Sequence, residues 1–343
     1  MTDFQINDHS KLPVLFRFVY TYTDYDVLLE ALAAQLQAPV KHGTIQLPSS
    51  VANGTYAAFK LPNGIQVSMV DCILQTDWFV QRKQDSGRTE FYTLRFNELD
   101  IPGSLEVTIG DSQVKESGTS RAVAYLTSSR FNWSYHGTKG TTYKGIDIMF
   151  TRDWIAGYMG IDNLEDVQVF YVSLQSGNFN AEPLDSEYRR LMHEITQADR
   201  QGPMWLTIVQ NRVLMMMERF FLHAFEKMKS HVTASRLSSQ DINRVMEVEK
   251  ILTADLLSPA QPIAELARQV SISVSKLKSD FKSVYGFPLH EYYRKSRLNA
   301  ARDKLLTGKF SIKEVAMELG YSNLSNFTNA FRKEFGMLPS ALF

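Results

Sequence analysis

A helical pattern gives way to strands within the first forty residues or so. Between residues 25 and 37, Val27, Leu28, Ala31, Leu32 and Leu36 recur at helical spacing and predict a short helix. After Pro39 the period shortens. Ile65, Val67 and Met69 alternate with polar neighbours before an apolar run at 70–74, and further strands are expected at 78–82, 91–96, 105–109, 122–126 and 146–150. Pro-Asn-Gly, Asp-Ser-Gly, Ile-Pro-Gly and Gly-Asp-Ser segments between them read as turns. Short strands at this spacing predict a small barrel or a double-sheet sandwich. Short helices are expected at 151–158 and 163–168.

A different regime begins at Asp185, whose carboxylate is suited to cap a helix through Tyr188, Leu191, Met192 and Ile195. Gly202 and Pro203 punctuate, and a long helix follows over 204–228 with Val209, Val213, Met217, Phe220 and Phe221 on a broad apolar face. Two helices joined by Gly-Pro predict an antiparallel pair over 185–230, and the second carries more apolar surface than one neighbour covers. The excess is expected to pack against the strand domain or a second subunit. Residues 231–244 read as a linker within a Ser-rich stretch, between a β-rich domain at 1–184 with its helix pair and an all-α domain at 245–343. The fold class expected is therefore two-domain α+β.

The last hundred residues contain a repeat. PIAELARQVSISVSKLKSDFKSVYG, from Pro262, matches SIKEVAMELGYSNLSNFTNAFRKEFG, from Ser311. Ile263 and Ala267 correspond to Ile312 and Ala316. Leu277, Phe281 and Gly286 correspond to Phe327, Phe331 and Gly336 one residue further on, so the second copy has one extra residue between its helices. Each copy reads as helix, turn, helix, with turns at Ser271-Ile272-Ser273 and Gly320-Tyr321-Ser322 and with Ser273 a candidate N-cap. A helix at 289–306 joins them.

Charge sharpens this picture. The chain has 37 basic and 37 acidic residues, yet from Asp241 onward 15 basic residues face 11 acidic ones. The positive end is where a phosphate backbone would bind. In each copy the second helix is the one suited to the major groove. Subtracting the inward anchors leaves Ser275, Lys276, Lys278, Ser279 and Lys282 in the first copy. In the second it leaves Asn323, Leu324, Ser325, Asn326, Asn329, Arg332 and Lys333. Asn and Ser bond base edges, Leu meets a thymine methyl, and Lys and Arg hold phosphates. If both helices share one face, they should meet the groove about one turn apart, roughly 34–36 Å. On the connector, Arg297 reads as an internal salt-bridge partner or a phosphate contact.

These motifs, from about Val245 to the end, resemble the DNA-binding domain of the AraC/XylS family of bacterial transcription regulators. PIAELA, the Leu277–Phe281 pair, Tyr293, Arg297-Leu298, Ala301 and the stretch from Ser311 to Pro339 carry the resemblance. It implies a seven-helix domain with two helix-turn-helix units on a long connecting helix, binding promoter DNA, in most members as an activator. Two departures stand out: Lys304 where the family often has Leu, and small Ser275 where some members present a large residue to the groove. The strands, KGIDIMFTRDW at 144–154 and EPLDSEYRRLMHEI at 182–195 look similar to the cupin-like sensor and dimerisation helices of such regulators. The resemblance thus implies a small-molecule effector, a homodimer and RNA polymerase as a further partner.

Other chemistry is not expected. Seven His residues include no close pair or triplet at metal-ligand spacing, and no Walker, dinucleotide or serine-hydrolase motif occurs. No cofactor, metal or catalytic residue is therefore assigned. Cys72, the single cysteine, reads as a small buried hydrophobe. Trp78, Tyr92, Arg95, Tyr125 and Trp133 combine aromatic or polar reach with strand positions and are candidate effector-pocket residues, although core packing is the better single explanation for each. Without a signal-peptide pattern or a long apolar run, a cytoplasmic protein with no membrane partner is expected. Two other readings remain: an enzyme fused to a DNA-binding domain, which predicts convergent His or carboxylate groups, and a constitutive DNA-binding protein, which predicts a filled barrel.

Overall fold

The longest strand sets the architecture of the sheet. In the computed structural model, which describes residues 16–21, 24–83, 90–109, 112–129, 131–161, 182–230, 239–258, 261–285 and 287–342, β7 runs unbroken over Phe91–Ile109. Two strands and a turn are expected there from sequence. Ile101, Pro102 and Gly103 instead form a bulge. Pairing with β8 (Ser112–Ser128) proceeds to Ile101 opposite Thr119, slips, and resumes at Ser104 opposite Ser117. A bulge tolerates a residue without an N–H and one without a Cβ, so the chain bends there and continues. The bend also changes partners on the other edge. Before it, β7 pairs with β10 (Thr142–Thr151); after it, with β9 (Trp133–Gly137).

The sheet grows outward from those two partners. Beyond β9 come β6 (Trp78–Lys83) and then β1 (Phe16–Thr21) in parallel. Beyond β10 come β5 (Gln66–Leu74), β4 (Ala52–Lys60), β3 (Thr44–Gln46) and β2 (Val40–Lys41). One half-barrel sheet carrying β1–β10 therefore stands where a closed barrel or two sheets are expected. The remaining predicted strands lie within β5, β6, β8 and β10. Helix α1 (Tyr25–Leu36) falls where predicted, as does α2 (Arg152–Met159), capped by the Thr151 hydroxyl. The helix expected at 163–168 and most of the linker lie outside the described residues.

Strand alternation divides the sheet into two faces. Helix α4 (Trp205–Ser230) covers one: Phe221 meets Phe150 edge-on at 6.3 Å, and Trp205 meets Phe59 at 4.9 Å. Val209, Val213, Met216, Met217, Phe220 and Phe221 are all buried, each worth roughly 1.5–3 kcal/mol relative to exposure. The broad apolar face of this helix thus packs on the strands. Cys72 is buried in β5, which pushes its thiol up to about 12.

The chain divides into two units, residues 1–181 with 198–228 and residues 182–197 with 229–343. The helix pair expected over 185–230 is accordingly split. α3 (Ser186–Thr196), capped at Asp185 as predicted, belongs with the second unit, and α4 with the first. The second unit continues with α5 (Ser239–Ala254), α6 (Ile263–Gln269), α7 (Val274–Tyr285), α8 (Leu289–Leu306), α9 (Ile312–Glu318), α10 (Leu324–Phe335) and a closing 3-10 turn at Pro339–Leu342.

The bulge yields a stability prediction. A Cβ at Gly103 would lie 2.2 Å from Thr138 Oγ1, the hydroxyl that accepts from the Ser104 N–H at 2.9 Å and donates to its carbonyl at 3.1 Å. Gly103→Ala is expected to cost ~1–3 kcal/mol in urea unfolding. Gly157→Ala, in α2 with open space around it, should be neutral or gain up to ~1 kcal/mol.

Candidate nucleic-acid interface

Both repeat copies close their first helix in the same way. After α6, the Ser271 N–H donates to Arg268 O at 3.1 Å and the Ile272 N–H to Ala267 O at 3.0 Å. After α9, Gly320 and Tyr321 repeat these bonds to Met317 and Ala316 at 2.9 and 3.0 Å. This is a paired C-terminal capping motif, and it requires a left-handed residue between the helices. Gly320 fills that place at φ 67° and Ser271 at φ 56°. The extra residue of the second copy follows this turn. Ser273 caps α7, accepting from Lys276 N–H at 3.2 Å, and Asn323 caps α10, accepting from Ser325 N–H at 2.7 Å. Ser311 and Glu314 form a reciprocal capping box at the start of α9, a Ser-x-x-Glu signal legible in the sequence.

Each second helix turns its anchors inward. Leu277 and Phe281 of α7, and Phe327 and Phe331 of α10, are fully buried. The groove candidates Ser275, Lys276, Lys278, Ser279 and Lys282 are all exposed, as are Asn323, Leu324, Ser325, Asn326, Asn329, Arg332 and Lys333. Two of them carry structural duties. Lys276 pairs with Asp280 at 2.9 Å and with Asp241 of α5 at 3.0 Å, and these carboxylates raise the affinity of its ammonium for the proton. Asn323 has its carbonyl oxygen committed to the cap.

Helix α8 serves two cores. Leu289, Tyr292 and Tyr293 join α5, α6 and α7 in one; Leu298, Ala301 and Leu305 join α9 and α10 in the other. Arg297 stands between them. Its Nε donates to Leu256 O at 2.8 Å, and its Nη2 to Leu257 O at 3.4 Å and to Leu319 O. Its partners are main-chain carbonyls, not the carboxylate expected of a salt bridge. Arg294 and Lys295 pair with Glu334 of α10 at 3.6 and 3.1 Å. Lys304 pairs with Glu318 and sets its ammonium 4.2 Å from the Phe310 ring centroid, so α8 runs through this position without a break.

Residues 266–343 match the family described as "Helix-turn-helix domain". Over 78 residues the chain is 36% identical to the virulence regulon transcriptional activator VirF of Yersinia enterocolitica and 33% identical to the HTH-type transcriptional regulator ExsA of Pseudomonas aeruginosa. These alignments cover 23% of this chain, 29% of VirF and 28% of ExsA, so the chain spans less than a third of these curated relatives. A solved AraC-type DNA-binding-domain regulator from Chromobacterium violaceum is 25% identical, over 31% of this chain and 93% of that one, with a TM-score of 0.29. By its sequence matches the C-terminal domain resembles the helix-turn-helix DNA-binding domain of the AraC/XylS family.

Sequence reasoning missed the docking of α3 on this domain. Arg189 forms a two-pronged ion pair with buried Glu249 of α5, and Glu249 also accepts from the Tyr292 hydroxyl at 2.8 Å. Arg302 of α8 pairs with Glu194 at 3.1 Å. These partners lie far apart in sequence, and no local pattern links them; the only hint was an acidic residue on the apolar side of α5.

The five candidate pocket residues separate. Trp78, Arg95 and Trp133 line a cavity on the sheet face away from α4. Tyr125 stands opposite Arg95 in the β7–β8 ladder with its hydroxyl 3.3 Å from Asn97 Nδ2, outside the cavity wall. Tyr92, three residues from Arg95, falls on the reverse face by alternation and stacks on Phe150. Among the described residues no group of three or more His, Cys, Asp or Glu is placed to hold a metal ion, and no helix is long and apolar enough to cross a membrane.

Four variants test this geometry. Ser271→Gly should stabilise the chain by ~0.5–1 kcal/mol and Gly320→Ala destabilise it by ~1–2 kcal/mol, because only the latter puts a Cβ on a left-handed residue. Arg297→Met should cost ~2–4 kcal/mol, and Arg297→Lys should recover less than half, since an ammonium cannot reproduce the planar fork. Chemical denaturation of the full chain measures all four.

Proposed function

We propose that this chain is a sequence-specific DNA-binding regulator of transcription that lays α7 and α10 in the major groove of promoter DNA. One observation carries the reading: two copies of the same capped helix-turn-helix, each with a buried aromatic anchor and an exposed polar second helix. α8, with 18 residues, is ~27 Å long, a length suited to holding two reading helices about one groove turn apart. Ser275, Ser279, Leu324, Ser325, Asn326 and Asn329 read base edges; Lys278, Lys282, Arg332 and Lys333 hold phosphates. Lys276 and Asn323 serve chiefly to position α7 and α10. The protein is a regulator with no catalytic centre, it answers to a small molecule held by the sheet unit, and RNA polymerase is its partner at the promoter.

The reader residues separate by their expected effects. Asn326→Ala should weaken cognate DNA by ~1–3 kcal/mol and unrelated DNA little. Arg332→Ala should weaken both alike and reduce the salt slope by about one. Competition binding at fixed salt distinguishes these; equal losses for Asn326→Ala would remove it from the reading set.

A homodimer is supported by α4. Ile208, Met215 and Leu222 recur every seven residues and are 39%, 42% and 54% exposed, on the side away from its buried stripe. A Met215→Lys, Leu222→Glu double variant should sediment as a monomer at concentrations where the parent is dimeric, with an unchanged circular dichroism spectrum.

A further inference from the structure

Every strand that borders the sheet cavity contributes to it through one alternation class: Phe16, Phe18, Trp78, Trp133, Tyr135 and Asp147 are examples, and Leu28 and Leu32 of α1 close one side. About 660 Å³ of the space between these residues is free of protein atoms, part of it open to solvent. The walls are mainly ring faces and aliphatic groups. The polar groups are few and unevenly satisfied.

Arg95, with only 4% of its side chain exposed, pairs through Nη1 with Asp147 and lays its guanidinium over Trp133, 4.0 Å from the ring centroid. Its Nε is buried without a partner among the described residues. The Tyr135 hydroxyl, in the same wall, is likewise buried and unpartnered there. Its ring stacks on Tyr143 at 5.3 Å, and Gly137 makes room for it: a Cβ there would lie 2.4 Å from the hydroxyl. Two residues of the cavity wall thus each hold a buried donor in want of an acceptor, at a cost that a bound acceptor would remove. Charge narrows the choice further. Arg95 is already paired with Asp147, so an anion that took the guanidinium would leave that carboxylate with only the more distant Arg82, and a cation that took the carboxylate would leave Arg95 without its partner. An uncharged ligand incurs neither penalty.

We propose that the cavity takes a small uncharged molecule with a flat unsaturated body and a carbonyl-type acceptor, such as an amide, whose oxygen accepts from Arg95 Nε and the Tyr135 hydroxyl. The proposal deepens the effector-responsive reading above and rests on it for its regulatory meaning. The test uses the full chain and three probes close in size: 2-phenylacetamide, phenylacetate and phenethylammonium, titrated by ligand-observed NMR at pH 7. The amide should bind at least ~10-fold more tightly than either ion. Tyr135→Phe should weaken it ~3–10-fold without lowering the melting temperature of the free protein, because the hydroxyl has no internal bond to lose. The paired variant Arg95→Met, Asp147→Leu should abolish the preference for the amide. Equal or tighter binding of either ion, indifference of the amide to both variants, or no binding of any probe would overturn the proposal. Fluorescence anisotropy with a mixed-sequence duplex, with and without the amide, separates the two claims. Amide binding with those dependences but unmoved duplex affinity would uphold the ligand class and count against the effector-responsive reading.

Discussion

One helix shared by two cores governs the C-terminal unit. Each helix-turn-helix completes its core with half of α8, the first through Leu289, Tyr292 and Tyr293, the second through Leu298, Ala301 and Leu305. Arg297 sits at the changeover. Its guanidinium reaches carbonyls that follow α5 and the carbonyl that ends α9, so the orphan acceptors of two separate chain segments are tied to one rigid fork. The separation of α7 and α10 is then set by one continuous helix and one side chain.

Within that frame the copies have diverged where packing permits. The turn is held constant, because its two main-chain hydrogen bonds need a left-handed residue whether that residue is Gly320 or the costlier Ser271. The anchors are held nearly constant, with Leu277 and Phe281 matched by two phenylalanines. The exposed faces are free to differ: lysines and serines on α7, amides and serines on α10. A cationic face suits phosphate contact and an amide face suits base edges.

The sheet unit uses the two-residue period to keep two environments apart. Phe59 and Phe150 point to the face that α4 seals; Tyr56, Arg95 and Asp147 point to the cavity. A one-residue slip would exchange the sets. The long β7 makes the concave face, because its bulge lets one strand pair with β10 along its first half and with β9 along its second.

The helical elements were legible in the chain because their signals are local: the 3.6-residue stripe of α8, the Asp185 and Ser273 caps, and the matched Ala267 and Ala316. The exposed faces of α7 and α10 were legible by subtraction, once the anchors were known. Local signals failed where the outcome depended on a distant partner. Ile-Pro-Gly is compatible with a turn or a bulge, and only the continuing β8 ladder selects the bulge. Tyr92 and Arg95 look alike as strand residues until alternation against α4 separates them. The sequence by itself determined most of the helical segments and the chemistry of their exposed faces, although α5 begins inside the stretch that reads as a linker. The tertiary structure decided that α3 joins the C-terminal unit, that Arg297 bonds carbonyls and that Arg95 meets Asp147, since each depends on groups brought together from 22 to 60 residues away, a separation over which no periodicity carries information.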